Sequence, residues 1–233
     1  MRLFGWIISA LLSLPVQADT LNYEGLAFEP GTDRLLYREQ HTLVYQQQQP
    51  HSREVRYFNA DGELIATKSN QYGDNPIAPS FLLQDQRRDY AEQVELTEQG
   101  YIMRVTEQGQ QQSARIEPGE QPLVIDSGFD TFVRQQWQQL LDGNTVSFRF
   151  AAPARQDVID FRIIPVAVDE QQLQLEMRLQ SRWLAWLLDP IQLYYDRNNQ
   201  RLLRYVGLTN IQDDAGDGIE ADIRYQYSTF VHN

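Results

Sequence analysis

The stretch "LQLEMRLQ", residues 173–180, decides the fold: Leu173, Leu175, Met177 and Leu179 take every second position, and Gln174, Glu176, Arg178 and Gln180 take the others. Side chains on a strand alternate between faces, so this pattern predicts a strand with one buried and one wet face. The same parity recurs in "TVSFRF" at Val146, Phe148 and Phe150, and in "IEADIRYQY" at Ile219, Ala221, Ile223, Tyr225 and Tyr227.

Turn chemistry joins such runs into hairpins. "EVRYFNADGELIATK" sets Asp61-Gly62 between two strands, a favoured pair where positive φ is needed. "IQLYYDRNNQRLLRYVGL" turns at Asp196 to Gln200, and "LTNIQDDAGDGIEADIRY" at Asp213 to Gly218. Consecutive hairpins without crossover helices predict an antiparallel meander of about ten strands. The glutamine runs at Gln46 to Gln49 and Gln110 to Gln112 read as solvated loop and turn filler.

One segment breaks the alternation at helical spacing. In "DSGFDTFVRQQWQQLLDG" the residues Phe129, Phe132, Val133, Trp137, Leu140 and Leu141 share an apolar face, with Ser127 as N-cap and Gly143 as the C′ residue. A sheet that curls only part-way leaves its inner face uncovered, and this helix is suited to plug it. A second break, "RWLAWLL", predicts a short helix from Arg182 to Leu188 stopped by Pro190. Trp183, Trp186 and Leu187 share one side of it, placing them at an end of the curled sheet or at the mouth of an apolar cavity. The expected fold class is mainly β: a large curled antiparallel sheet, half-barrel or open barrel, with one amphipathic helix on its concave side and a short second helix.

The first eighteen residues, "MRLFGWIISALLSLPVQA", combine Arg2, an apolar run from Leu3 to Leu14, Pro15, and small residues at Val16 and Ala18. They predict a signal peptide cleaved after Ala18, an exported periplasmic product and a single domain over residues 19–233. The run is short of the roughly 20 apolar residues of a membrane span, so no stable insertion of the mature chain is expected. With zero cysteines in 233 residues, burial must supply the stability that small secreted scaffolds obtain from disulfides.

The net charge of −12, from 32 acids against 20 bases, disfavours nucleic acid and anionic membrane surfaces as partners. His41, His51 and His232 stand apart with no cysteine partner, so no metal site or cofactor is predicted. "DDAGDGIEAD" is a hairpin turn, because Ala215 and Arg224 stand where a calcium loop needs ligands. Ser127 lacks the G-x-S-x-G setting of a hydrolase nucleophile. Asp160, Glu176 and Asp222 alternate with Arg149, Arg162, Arg178 and Arg224, a pattern of ion pairs on a solvated sheet face.

The hairpin succession of residues 173–227 resembles the half-barrel proteins of the Gram-negative periplasm typified by the lipoprotein-carrier family. That resemblance, one of pattern, implies an incomplete barrel that closes on a helix and holds acyl chains in an apolar hollow. "YREQH", "VRYFNADGELIATK" and "APSFLLQD" also resemble uncharacterised exported bacterial proteins of no agreed function. The expected function is a non-enzymatic periplasmic binding module for a hydrophobic or lipid-like ligand or a lipidated partner. Its candidate ligand-binding residues are Phe129, Phe132, Val133, Trp137, Trp183, Trp186 and Leu187. The competing expectation is an envelope interaction protein that docks another envelope protein through a sheet edge or the Trp-rich stub.

Overall fold

The computed structural model describes residues 18–181, 189–228 and 231–232. Eight strands come first: β1 (Ala18–Phe28), β2 (Leu35–Gln46), β3 (Gln49–Asn59), β4 (Leu64–Gln71), β5 (Ser80–Asp85), β6 (Tyr90–Thr97), β7 (Gly100–Glu107) and β8 (Gln110–Arg115). The short β9 (Leu123–Val124) leads into α1 (Gly128–Gln135) and α2 (Trp137–Leu141). The chain then returns to strands: β10 (Val146–Ala152), β11 (Asp157–Val168), β12 (Gln172–Leu179), β13 (Ile191–Asp196), β14 (Leu202–Gln212), β15 (Gly218–Tyr227) and the two-residue β16 (Val231–His232). A single 3-10 turn, Pro153–Arg155, separates β10 from β11.

All sixteen strands join one sheet, more than the ten or so expected, because several hairpins are tighter than the turn residues suggest. Gln47 and Gln48 both adopt positive φ (50° and 63°) and connect β2 to β3 directly. This is the backbone sense of a two-residue hairpin turn, here made without the usual glycine or asparagine. The glutamine runs read as loop filler therefore lie mostly in strands: Gln46 and Gln49 pair with each other, and Gln110 to Gln112 are the exposed first half of β8.

The sheet is two meanders spliced at the chain ends. Strands β1 to β8 follow one another, β10 to β15 do likewise, and β1 pairs antiparallel with β15 from Tyr23↔Tyr227 to Phe28↔Asp222. Among the described residues the sheet edges are β8 and β9, with β9 parallel to β10, and no strand pairing joins those edges. The barrel is open.

Its curl is visible in contacts between strands far apart in the sheet order. Arg87, after β5, donates to the Gln212 carbonyl of β14 at 2.6 Å and pairs with Asp214 at 3.0 Å. Gln212 also donates to the Tyr90 hydroxyl of β6 at 3.2 Å.

The predicted helix is present but broken at Gln136 into α1 and α2. Ser127 makes no capping hydrogen bond; its hydroxyl instead pairs with the Tyr72 hydroxyl at 2.7 Å. Gly143 (φ +82°) ends α2 as expected: its N–H bonds the Leu140 carbonyl, and the Asn144 N–H bonds the Gln139 carbonyl. That pair of bonds satisfies two helix-end carbonyls through a residue in the left-handed region. The described short helix is thus α2; the helix expected from Arg182 to Leu188 lies outside the described residues.

Phe132, Val133, Trp137 and Leu140 pack against Phe148, Phe161, Ile163, Leu173, Leu175, Leu193 and Tyr195 of β10 to β13. The strand parity read from residues 173–180 is the one buried here. A second core joins the inner faces of β2 to β7 to β14 and β15, through residues such as Tyr37, Tyr57, Met103 and Ile223.

The ion pairs expected across strands are mostly rearranged. Arg178 meets Glu176 on its own strand at 2.7 Å, and Arg204 joins Arg224 on the nearly inaccessible Asp222 at 2.6 and 3.0 Å. Arg149 and Asp160 are register partners, yet Arg149 donates to the Glu117 carbonyl at 2.9 Å and helps close the link from β8 to β9.

Candidate functional site

Between the concave faces of the two meanders lies a hollow of about 930 Å³. Its two sides differ in chemistry. Strands β10 to β14 and the 3-10 turn contribute an apolar wall that includes Phe150, Ile159, Phe161, Met177, Leu179 and Leu202. From β2 to β4 and the turn before α1 come Glu39, His41, Arg53, Lys68, Asp126 and Ser127.

The polar side arises because charged residues occupy the buried parity of ordinary strands. On β2, Tyr37, Glu39, His41 and Leu43 all face inward and are buried. On β4, Lys68 and Asn70 do the same. Buried polar groups must be hydrogen-bonded to be tolerated, and these are linked in two chains.

The first chain runs from Arg53 to His41 to Glu39. Arg53 Nη2 donates to His41 Nδ1 at 3.0 Å, and His41 Nε2 lies 2.8 Å from Glu39 Oε2. A guanidinium only donates, so Nδ1 accepts and the ring proton sits on Nε2, facing the carboxylate. Burial, with the Arg53 charge beside the ring, lowers the His41 pKa from 6.5 to about 4, so the imidazole is neutral at neutral pH. Burial pushes the Glu39 carboxyl up, but the His41 hydrogen bond and the Lys68 and Arg53 charges outweigh it and hold Glu39 below its ordinary range. Tyr23 stacks flat on His41, with ring centroids 4.2 Å apart, and the Arg53 guanidinium sits 5.6 Å from the Tyr23 ring centre.

The second chain is centred on Asp126. Lys68 Nζ reaches Asp126 Oδ1 at 2.9 Å, and Asn70 Nδ2 donates to Oδ2 at 2.8 Å. Asp126 holds a left-handed backbone (φ 42°), which turns its carboxylate from the entry to α1 towards β4. Burial raises this carboxyl, and Lys68 and Asn70 overcome it, leaving the group below its usual pKa. Close by, Tyr90 donates to Glu92 at 2.7 Å; burial keeps the Glu92 carboxyl above its usual pKa despite that bond. On α1, Asp130 pairs with Arg134 at 2.7 Å.

Of the residues picked out by sequence for ligand binding, Phe129 lines the hollow. Phe132, Val133 and Trp137 are buried in the core between helix and sheet and do not line it. The apolar face of the helix is used up against β10 to β13. Trp183, Trp186 and Leu187 lie outside the described residues, although Ser181, just before them, lines the hollow.

Sequence reasoning missed the polar side altogether. The signal was present: period-two parity in "YREQHTLVY" puts Glu39 and His41 between inward Tyr37 and Leu43, and Lys68 is the chain's single lysine. Among the described residues no group of three His, Cys, Asp or Glu gathers as a metal site. No helix among them is long and apolar enough to cross a membrane.

No described protein family matches the chain, and no curated protein matches it. Among solved structures it is similar to a beta-barrel-like protein of domain of unknown function DUF1849 from Brucella abortus. That comparison has a TM-score of 0.40 and 6% identity, and covers 94% of this chain and 98% of the other.

Proposed function

We propose that this protein is an exported, periplasmic binding module whose half-barrel takes an amphipathic, lipid-like molecule. The observation that carries the reading is the hollow itself, about 930 Å³ with one apolar and one charged wall. Its size falls in the range of roughly 300–1,000 Å³ common to small-molecule pockets, and a few placed polar groups in an apolar site are what orient a ligand. The pattern likeness to the lipoprotein-carrier half-barrels and the signal-like first eighteen residues support the same reading.

The reading is non-enzymatic. Both ring nitrogens of His41 are engaged, and the Ser127 hydroxyl is bound to Tyr72 rather than to a base, so the buried groups are arranged to hold one another. Native mass spectrometry of the protein purified from the periplasm, followed by organic extraction, tests the proposal. We expect a bound species that is lost on extraction and identified as a lipid or lipid fragment. An empty protein that also takes up no added amphiphile overturns it.

A second reading, docking of an envelope protein by strand addition, has one observation in its favour: among the described residues β8 is an exposed edge paired on one side only.

A further inference from the structure

We propose that the molecule held in the hollow carries an anionic group, a carboxylate or a phosphate, that docks on Arg53 while its apolar part lies along Phe150, Ile159, Phe161 and Leu179. The inference rests on the binding reading above and adds the chemistry of the ligand's head.

The arginine and lysine side chains that line the hollow are Arg53, Lys68 and Arg155. Lys68 is paired with Asp126, and Arg155 is exposed to solvent on the opposite wall. Arg53 lines the hollow, yet among the described residues it forms no ion pair. Its one hydrogen bond goes to the neutral His41, and its Nε is buried without a partner. A half-buried guanidinium whose Nε is withdrawn from water and unsatisfied is costly to keep, and its planar donors match the oxygens of a carboxylate or phosphate.

The carboxylates near Arg53 are already engaged. Glu39 is held by His41, Asp126 by Lys68 and Asn70, and Glu92 by Tyr90. Tyr23 stacks on His41 and stands by the guanidinium, fixing the imidazole to which Arg53 is anchored. The apolar wall, by contrast, carries Asp157 and Asp160 against the single exposed cation Arg155, with none of the three in an ion pair among the described residues. Its charge is net negative, so an anion is favoured at Arg53 and one orientation is selected.

The test is isothermal titration calorimetry on the full exported protein with three probes of equal chain length, each below its micelle concentration. Myristate and myristoyl lysophosphatidylglycerol supply the two anionic heads, and monomyristoylglycerol is the neutral control. We expect one or both anions to bind about tenfold or more tighter than the glyceride, the scale of a charge-assisted contact. A preference for one anion tells a carboxylate source from a phosphate source. Arg53→Gln should erase the anion's advantage over the glyceride. Arg53→Lys, which keeps the charge and loses the fork, should retain part of it. The wild-type comparison stands without either variant if one fails to fold. Equal affinity for all three probes, or an unchanged preference in Arg53→Gln, overturns the proposal. Absence of binding by every probe overturns the binding reading on which it rests, a distinct result.

Discussion

The two halves of the concave face are built from strands of the same alternation and end up doing opposite things. On β10 to β13 the inward residues are aromatic and aliphatic; α1 and α2 press their apolar side onto one part of them, and Phe150, Ile159, Met177 and Leu179 are left to line the hollow. Phe148 shows the density, with the rings of Phe129, Phe132, Phe150 and Phe161 at centroid distances of 5.2 to 6.4 Å. On β2 to β4 the inward parity holds Glu39, His41 and Arg53, which bond in a chain, and Lys68 and Asn70, which both bond Asp126, and a hollow is left in front of them. Parity decides which way a residue points; the chemistry at that parity decides whether the inside is filled or left open.

Three perturbations break or sharpen that contrast. The largest effect is expected on the filled side. Phe148→Ala opens a cavity where no backbone can collapse into it, and should cost about 4 kcal/mol of unfolding free energy in a urea titration. Loss of only a few tenths would mean that helix and sheet are loosely packed.

On the polar side, Lys68→Met leaves Asp126 buried without its cation and should cost about 3 kcal/mol, the usual scale for orphaning one partner of a buried pair. The double variant Lys68→Met with Asp126→Asn should recover most of that loss, since Asn keeps an acceptor for Asn70 and tolerates the left-handed backbone. Equal instability of single and double variants would show that the site needs the charge pair itself.

The third effect is a pH dependence. Between pH 6.5 and about 4 the unfolded chain protonates at position 41 while folded His41 stays neutral, so stability falls as the pH is lowered. Glu39 and Asp126, whose folded pKa values are depressed, lose their contribution as pH drops further through those values. Glu92 opposes the trend, because its raised pKa lets the folded form take up a proton first. Unfolding free energies from urea titrations at pH 7.5 and 4.5 should differ by on the order of 2 kcal/mol from His41. His41→Gln, which keeps a donor for Glu39 and an acceptor for Arg53, should flatten that difference. An unchanged slope in the variant would place the acid sensitivity elsewhere.

Much of the architecture was legible from residues alone. The parity of residues 173–180, the Asp61-Gly62, Asp196 to Gln200 and Asp213 to Gly218 turns, and the helix stop at Gly143 are local facts, set by which neighbours a backbone conformation brings together. The hairpin at Gln47 and Gln48 was missed because nothing in those side chains announces a positive φ; the flanking strands impose it. The place of the helix stripe was not legible for a related reason. Apolar character singled out Phe132, Val133 and Trp137, but a hydrophobic stripe reads the same whether it meets a ligand or a sheet.

What the chain alone determined about this protein is its strand periodicity, most of its turns, the faces of its helix and an acidic, cysteine-free composition. Only the tertiary structure decided that β1 pairs with β15, that Lys68 meets Asp126 across 58 residues, and that Arg53 lines a hollow with no ion-pair partner among the described residues. Local conformation sets the direction of each side chain, whereas the groups it meets depend on how far the whole sheet curls, a property distributed over every strand.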